Sequence, residues 1–180
     1  MPTPDEILSF WFDEHGPQDW FGGAAAFDAL LAERFGAVHP LIAAGEAWAW
    51  RTSPGGRLAE IIVLDQFSRQ LYRGSARAFA TDGMALVLAQ EAVAGGHDLE
   101  LEPVRRKFLY MPYMHSESLH IHEEALRLFT ALGDEDTLGY ERAHVEVLER
   151  FGRYPRRNAA LGRQSTPAEL DYIASGSGMF

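Results

Sequence analysis

The stretch from Leu58 to Tyr72 constrains this chain more than any other. On a helical wheel of about 100° per residue, Leu58, Ile61 and Ile62 form one apolar stripe, and Asp65, Arg69 and Tyr72 continue it over the next two turns. The opposite side carries Val63, Leu64, Phe67 and Leu71, so the spacing predicts a helix buried on most of its circumference. Charges on such a helix need partners. Asp65 and Arg69 stand i, i+4 with the acid first, the orientation that lets them pair, yet each has more hydrogen-bonding capacity than one partner fills. That remaining capacity marks an internal polar site.

The rest of the chain reads as helices too. Ile7, Leu8, Trp11 and Phe12 follow Pro4-Asp5-Glu6, suited to a first helical turn, and Gly16-Pro17 ends that segment. Phe27, Leu30, Leu31 and Phe35 supply a second amphipathic helix, and Leu41, Ile42, Trp48 and Trp50 a third. Ser53-Pro54-Gly55-Gly56 reads as a loop before the central helix, which Gly74 ends. Thr81 or Asp82 can cap the next helix, and Pro112 is expected to interrupt or kink a segment that restarts near Pro103. Leu119, His122, Leu126 and Phe129 share one face, as do Tyr140, Ala143, Val147, Leu148 and Phe151; Thr166-Pro167-Ala168-Glu169 is a capping-box start. No β-type alternation of any length is present. The class is therefore all-α, and 180 residues predict one domain over 1–180.

Several functions are excluded by composition. With no cysteine there are no disulfides, thiolate metal sites or cysteine nucleophile. Met1-Pro2-Thr3-Pro4-Asp5-Glu6 lacks a basic leader, and no apolar run approaches the roughly 18 residues of a membrane span, so a cytoplasmic protein without membrane contact is expected. A net charge of -10 argues against general nucleic-acid binding. The cations are unevenly placed: Lys107 is the one lysine, and Arg150, Arg153, Arg156, Arg157 and Arg163 lie in a segment with no acid between Glu149 and Glu169. Arginine presents a planar fork suited to carboxylates and phosphates.

Together, Phe10-Trp11-Phe12, Trp20-Phe21, Leu64-Asp65-Gln66-Phe67-Ser68-Arg69, Tyr72-Arg73-Gly74, Arg77-Ala78-Phe79-Ala80-Thr81-Asp82, Tyr110-Met111-Pro112, His115-Ser116-Glu117 and the run from Arg150 to Thr166 resemble the bacterial family called domain of unknown function 924. The resemblance covers nearly the whole chain. It implies a tetratricopeptide-repeat-like array of antiparallel helical hairpins, and brings neither an activity nor a cofactor; none is expected. His120-x-His122 and Arg156 depart from the family pattern, the latter standing where a histidine is more usual.

Three constellations carry possible chemistry. In the C-terminal run, Arg150, Arg153, Arg157, Asn158 and Arg163 are broken up by Gly152, Pro155 and Gly162 and point several ways, as an anion clamp requires; alternatively they cap helices and pair with Asp65, Asp82 and Glu117. His115 and Glu117 beside the Pro112 kink are the acid/base candidates. Glu117-x-x-His120 and Glu141-x-x-His144 have di-iron spacing, but half the set points away from its helix's apolar face, so no metal site is assigned. Ser68 and Ser116 lie in no nucleophile elbow. The leading reading is a cleft binding an anionic small molecule or a peptide terminus, with Asp65, Arg69, Tyr72, Arg73, Arg77, Tyr110, Tyr113, His115, Glu117, Arg150, Arg153, Arg157, Asn158 and Arg163 around it. The alternatives are a hydrolase of an anionic substrate using His115 or Glu117, and a structural module that meets a protein partner.

Overall fold

Short local signals start these helices. Thr3 Oγ1 accepts the Glu6 amide while the Glu6 carboxylate takes the Thr3 amide, a reciprocal cap opening α1 (Pro4–Ser9). The computed structural model describes residues 1–178, and these form helices and turns with no strand among them. The last two positions of the expected 1–180 domain lie outside the described residues. From α1 the chain runs through a π-helical turn, Phe10–Glu14, into α2 (Pro17–Phe21), α3 (Ala25–Phe35) and α4 (His39–Ala43). The loop expected at Ser53-Pro54-Gly55-Gly56 is instead the start of α5 (Pro54–Ile62): Ser53 Oγ accepts the Gly56 amide at 3.1 Å and Pro54 takes the first helical position. Gly56 is needed there because a β-carbon would collide with the Trp50 carbonyl.

The central helix is not one regular α-helix. α5 passes into a second π-helical turn, Val63–Phe67, and continues as α6 (Ser68–Leu71), with every residue from Leu58 to Ser68 buried. Inside this turn the Leu64 carbonyl accepts two hydroxyls, Ser68 Oγ and Thr81 Oγ1, each at 2.6 Å. His39 completes the set, with Nε2 at 2.7 Å from Ser68 Oγ and Nδ1 at 3.3 Å from the Tyr72 hydroxyl. One neutral tautomer satisfies the whole chain: Tyr72 donates to Nδ1, Nε2–H donates to Ser68, and both hydroxyls donate to Leu64. Burial, then Arg77, pushes the His39 pKa down, in keeping with a neutral ring.

α1 packs on α5, and α5 on α7 (Asp82–Ala94) and α8 (Pro103–Met114). Aromatic rings fill the space between them. Trp11 and Trp20 stack at 5.8 Å, and Phe108 meets them edge-on at 5.7 and 4.8 Å. Each such fully buried side chain contributes about 1.5–3 kcal/mol. Pro112 does not interrupt α8; it lies in its last turn, and the helix runs to Met114. His115–Ser118 then leads into α9 (Leu119–Leu132), and Gly133 with Asp134 into α10 (Glu135–Phe151), so that α8, α9 and α10 pack in succession. Past α10, Gly152 turns the chain at φ +69° into a tight turn, Pro155–Arg157, and α11 (Pro167–Ala174) opens on the capping box that its sequence predicts. Among the described residues no helix is long and apolar enough to cross a membrane.

Candidate functional site

A cleft of about 550 Å³ lies where α6, α8, α10 and the Pro155–Arg157 turn meet. α10 presents Thr137, Tyr140, His144 and Val147 to it, residues that fall on one helical face. α8 contributes Met111, Met114 and the residue after its end, His115. Gln66 and Arg69 come from the irregular central helix. Depth follows exposure: Gln66, Met111, Met114 and His144 are buried, whereas Phe21 and Tyr140 are about 60% exposed and mark the mouth.

Behind this lining sits Asp65, 1% exposed. It accepts His115 Nδ1–H at 2.7 Å and Gln66 Nε2–H at 2.6 Å, and its carboxylate is 3.1 Å from Arg69. Burial alone would raise the Asp65 pKa; Arg69, His115 and the two donors outweigh it and hold the carboxyl well below its usual range. Arg69 also forms a fork with Asp82 at 3.0 and 3.1 Å. Arg157 reaches the same acid from the C-terminal segment, but only at 3.4 Å, and donates to the His115 carbonyl at 2.9 Å. The central helix and the arginine-rich run thus meet on Asp82.

The Arg157 guanidinium lies over two rings, Phe79 at 4.8 Å and Tyr154 at 4.6 Å. Burial, then Arg69, lowers its pKa against the opposing pull of Asp82 and Glu117. Neighbouring Arg156 donates to the backbone carbonyls of Ile173 and Ser177 and, among the described residues, meets no carboxylate. Two histidines share the cleft. His115 has its Nδ1 fixed by Asp65, and its Nε2 makes no hydrogen bond among the described residues; burial, then Arg69, lowers its pKa while Asp65 opposes. His144 donates Nδ1–H to the Tyr140 carbonyl at 2.7 Å, and burial pushes its pKa down to about 3.

Not every residue singled out in the sequence reaches the cleft. Arg73 lines it but forks onto Asp28 at 2.8 and 2.9 Å. Tyr72 belongs to the His39 chain, and Arg77 lies over its ring at 3.8 Å beside a separate shallow hollow. Tyr110 donates to Asp98, and Tyr113 is buried with its pKa raised to about 12, first by burial and then by Glu124; neither walls the cleft. Glu117 accepts the Tyr154 amide at 2.7 Å and both terminal nitrogens of Arg163 at 2.7 and 2.9 Å. Arg163 also donates to Asn158, Arg153 forks onto Glu169, and Arg150 lies over Phe151, so these residues brace the C-terminal segment.

The four residues with di-iron spacing are engaged separately. Glu141 pairs with His122, Glu117 with Arg163, and His120 lies exposed beside Glu123. Among the described residues no group of three or more His, Asp or Glu converges as metal ligands. His144, Arg156, Met111 and Met114 line the cleft although the sequence did not place them there, and Asp82, named in the sequence only as a pairing partner of the arginines, lies behind it. A signal existed for His144, which shares the apolar face of its helix.

These features define an all-helical protein with a buried acid–base network beneath a cleft. The family model described as "Bacterial protein of unknown function (DUF924)" matches residues 7–177, and the chain belongs to that family. It is similar to a solved structure, the protein of unknown function ATU0120 from Agrobacterium tumefaciens: identity is 37%, TM-score 0.90, and the match covers 96% of this chain and 97% of that one. No curated protein matches the chain.

Proposed function

We propose that the cleft binds a small anionic ligand, with Arg157 and Arg156 as its receptors. One observation carries this. The lining holds Arg69, Arg73, Lys107, Arg156 and Arg157, and the carboxylates that serve these cations are Asp65, Asp82, Asp28 and Asp134. Among the described residues that leaves one positive charge in excess at Arg156 and Arg157: Arg156 meets no carboxylate there, and Arg157 reaches Asp82 only at 3.4 Å. A desolvated, incompletely paired guanidinium gains from an incoming anion. Binding should raise the melting temperature saturably, by about 5–10 °C when the ligand is near a hundred times its Kd. Arg157→Met keeps much of the aliphatic bulk and removes the fork, so it should abolish the shift while circular dichroism stays helical. An equal shift in Arg157→Met and the parent would refute the reading.

The dyad of Asp65 and His115 favours a second reading, in which the cleft also moves a proton on its ligand. A buried carboxylate that fixes Nδ1–H leaves Nε2 as the basic nitrogen, on a residue that lines the cleft. His115 is then the acid/base group, and Glu117, tied to Arg163, is not. Hydrolysis of mono-p-nitrophenyl succinate, an ester that carries one carboxylate, tests it: His115→Gln should lose the activity, and equal rates in variant and parent would refute it.

A further inference from the structure

We infer that the anion this cleft takes is a monocarboxylate with an apolar tail, not phosphate or a dianion. This rests on the anion-binding reading above and narrows it. Among the described residues the charge at the site is matched to one negative charge. Arg69 is spent on Asp65 and Asp82, Arg73 on Asp28, and Lys107 stands 3.7 Å from Asp134. A dianion would add a second negative charge close to Asp82, which already lies 3.4 Å from Arg157. A monoanion removes the excess without that repulsion.

Apolar surface lies beside Arg157 as well as its polar partners. Its guanidinium is flanked by Phe79 and Tyr154, and the same cleft is lined by Met111, Met114 and Val147, all buried. Methionine side chains are flexible and polarisable and adapt to a chain or a ring lying against them. Gln66 Nε2 donates to Met111 Sδ at 3.3 Å as well as to Asp65, so the N–H groups of this lining residue are engaged within the protein. At the mouth, Phe21 and Tyr140 hold aromatic surface in water that a tail leaving the cleft would cover. An inorganic anion would leave all of this surface wet.

Isothermal titration of the full-length protein with acetate, butyrate, hexanoate, octanoate and decanoate, each below its micellar concentration, tests the inference beside phosphate and decan-1-ol. Affinity should climb about three- to fourfold per added methylene until the cleft is filled, as burial of each group requires. Arg157→Met should lower affinity for decanoate at least tenfold and leave that for decan-1-ol unchanged. A flat ladder, with acetate and phosphate bound equally and both lost in Arg157→Met, would overturn the apolar tail and keep the anion site. Decanoate binding that Arg157→Met does not weaken, or no carboxylate binding at all, would overturn both. The variant's circular dichroism and melting curve show whether it folds, and Arg157→Lys, which keeps the charge, should recover part of the decanoate affinity.

Discussion

Replacing Asp65 with asparagine tests the network beneath the cleft. Asp65 is 1% exposed, and the variant keeps its size while removing the charge that serves His115, Gln66 and Arg69 together. The new amide also turns N–H groups toward donors, so at least one buried contact becomes repulsive. Removing one partner of a buried pair costs about 3–5 kcal/mol. Here Arg69 keeps its fork to Asp82 and is itself one-fifth exposed, which places the loss near the lower end, about 3 kcal/mol. For a chain of this length that corresponds to a fall in melting temperature of about 6–12 °C. Urea denaturation followed by circular dichroism measures it, with Arg69→Met and the double variant completing the cycle. The double variant leaves no orphaned charge on that pair, so it should be more stable than the sum of the two single losses allows, by at least about 1 kcal/mol. A loss under about 1 kcal/mol for Asp65→Asn, or strict additivity, would refute the assignment of Asp65 as the centre of the network.

Acid should weaken the fold before carboxylates titrate. His115 and His144 both have folded-state pKa values below the roughly 6.5 of a free imidazole, so as pH falls below that value the unfolded chain takes up protons that the folded chain refuses. Above about pH 6.5 they contribute nothing; between pH 7 and 5 stability should drop by about 2 kcal/mol through His144, with His115 acting in the same direction, and His144→Gln should flatten the slope. Equal slopes in urea titrations of parent and variant would count against this. Gly133, at φ +78° with nothing near its missing β-carbon, should lose about 1 kcal/mol as alanine from backbone strain alone, read as a shift in the urea midpoint.

Much of the fold was legible because its signals are local. The capping box at Thr166 and Glu169 is decided by neighbours a few residues away. The Ser53 to Gly56 reading failed because two glycines resemble a loop: Gly56 is there for space, a β-carbon being excluded by the Trp50 carbonyl, while Ser53 and Pro54 open a helix. At the site, the i, i+4 pairing of Asp65 and Arg69 was readable, and so was a surplus of hydrogen-bonding capacity. What consumes that surplus was not, because His115 and Asp82 arrive from other elements. The arginine run shows the same limit. Clustering in sequence did not distinguish Arg153 and Arg163, which brace their own segment, from Arg157, which reaches the cleft.

The π-helical turn at Val63–Phe67 gives one helix two phases. Residues before it are rotated to suit the hydrophobic core, and residues after it to suit Asp82 and the cleft, with the extra residue absorbing the mismatch. Shortening the chain by one residue within the turn would restore a regular helix and swing everything downstream by about 100°, turning Arg69 from Asp82. The helix would then be a better helix and a worse scaffold. Point substitutions leave this phase difference intact, so the length of the Leu58 to Tyr72 segment is as much a determinant of the cleft as the identity of any residue in it.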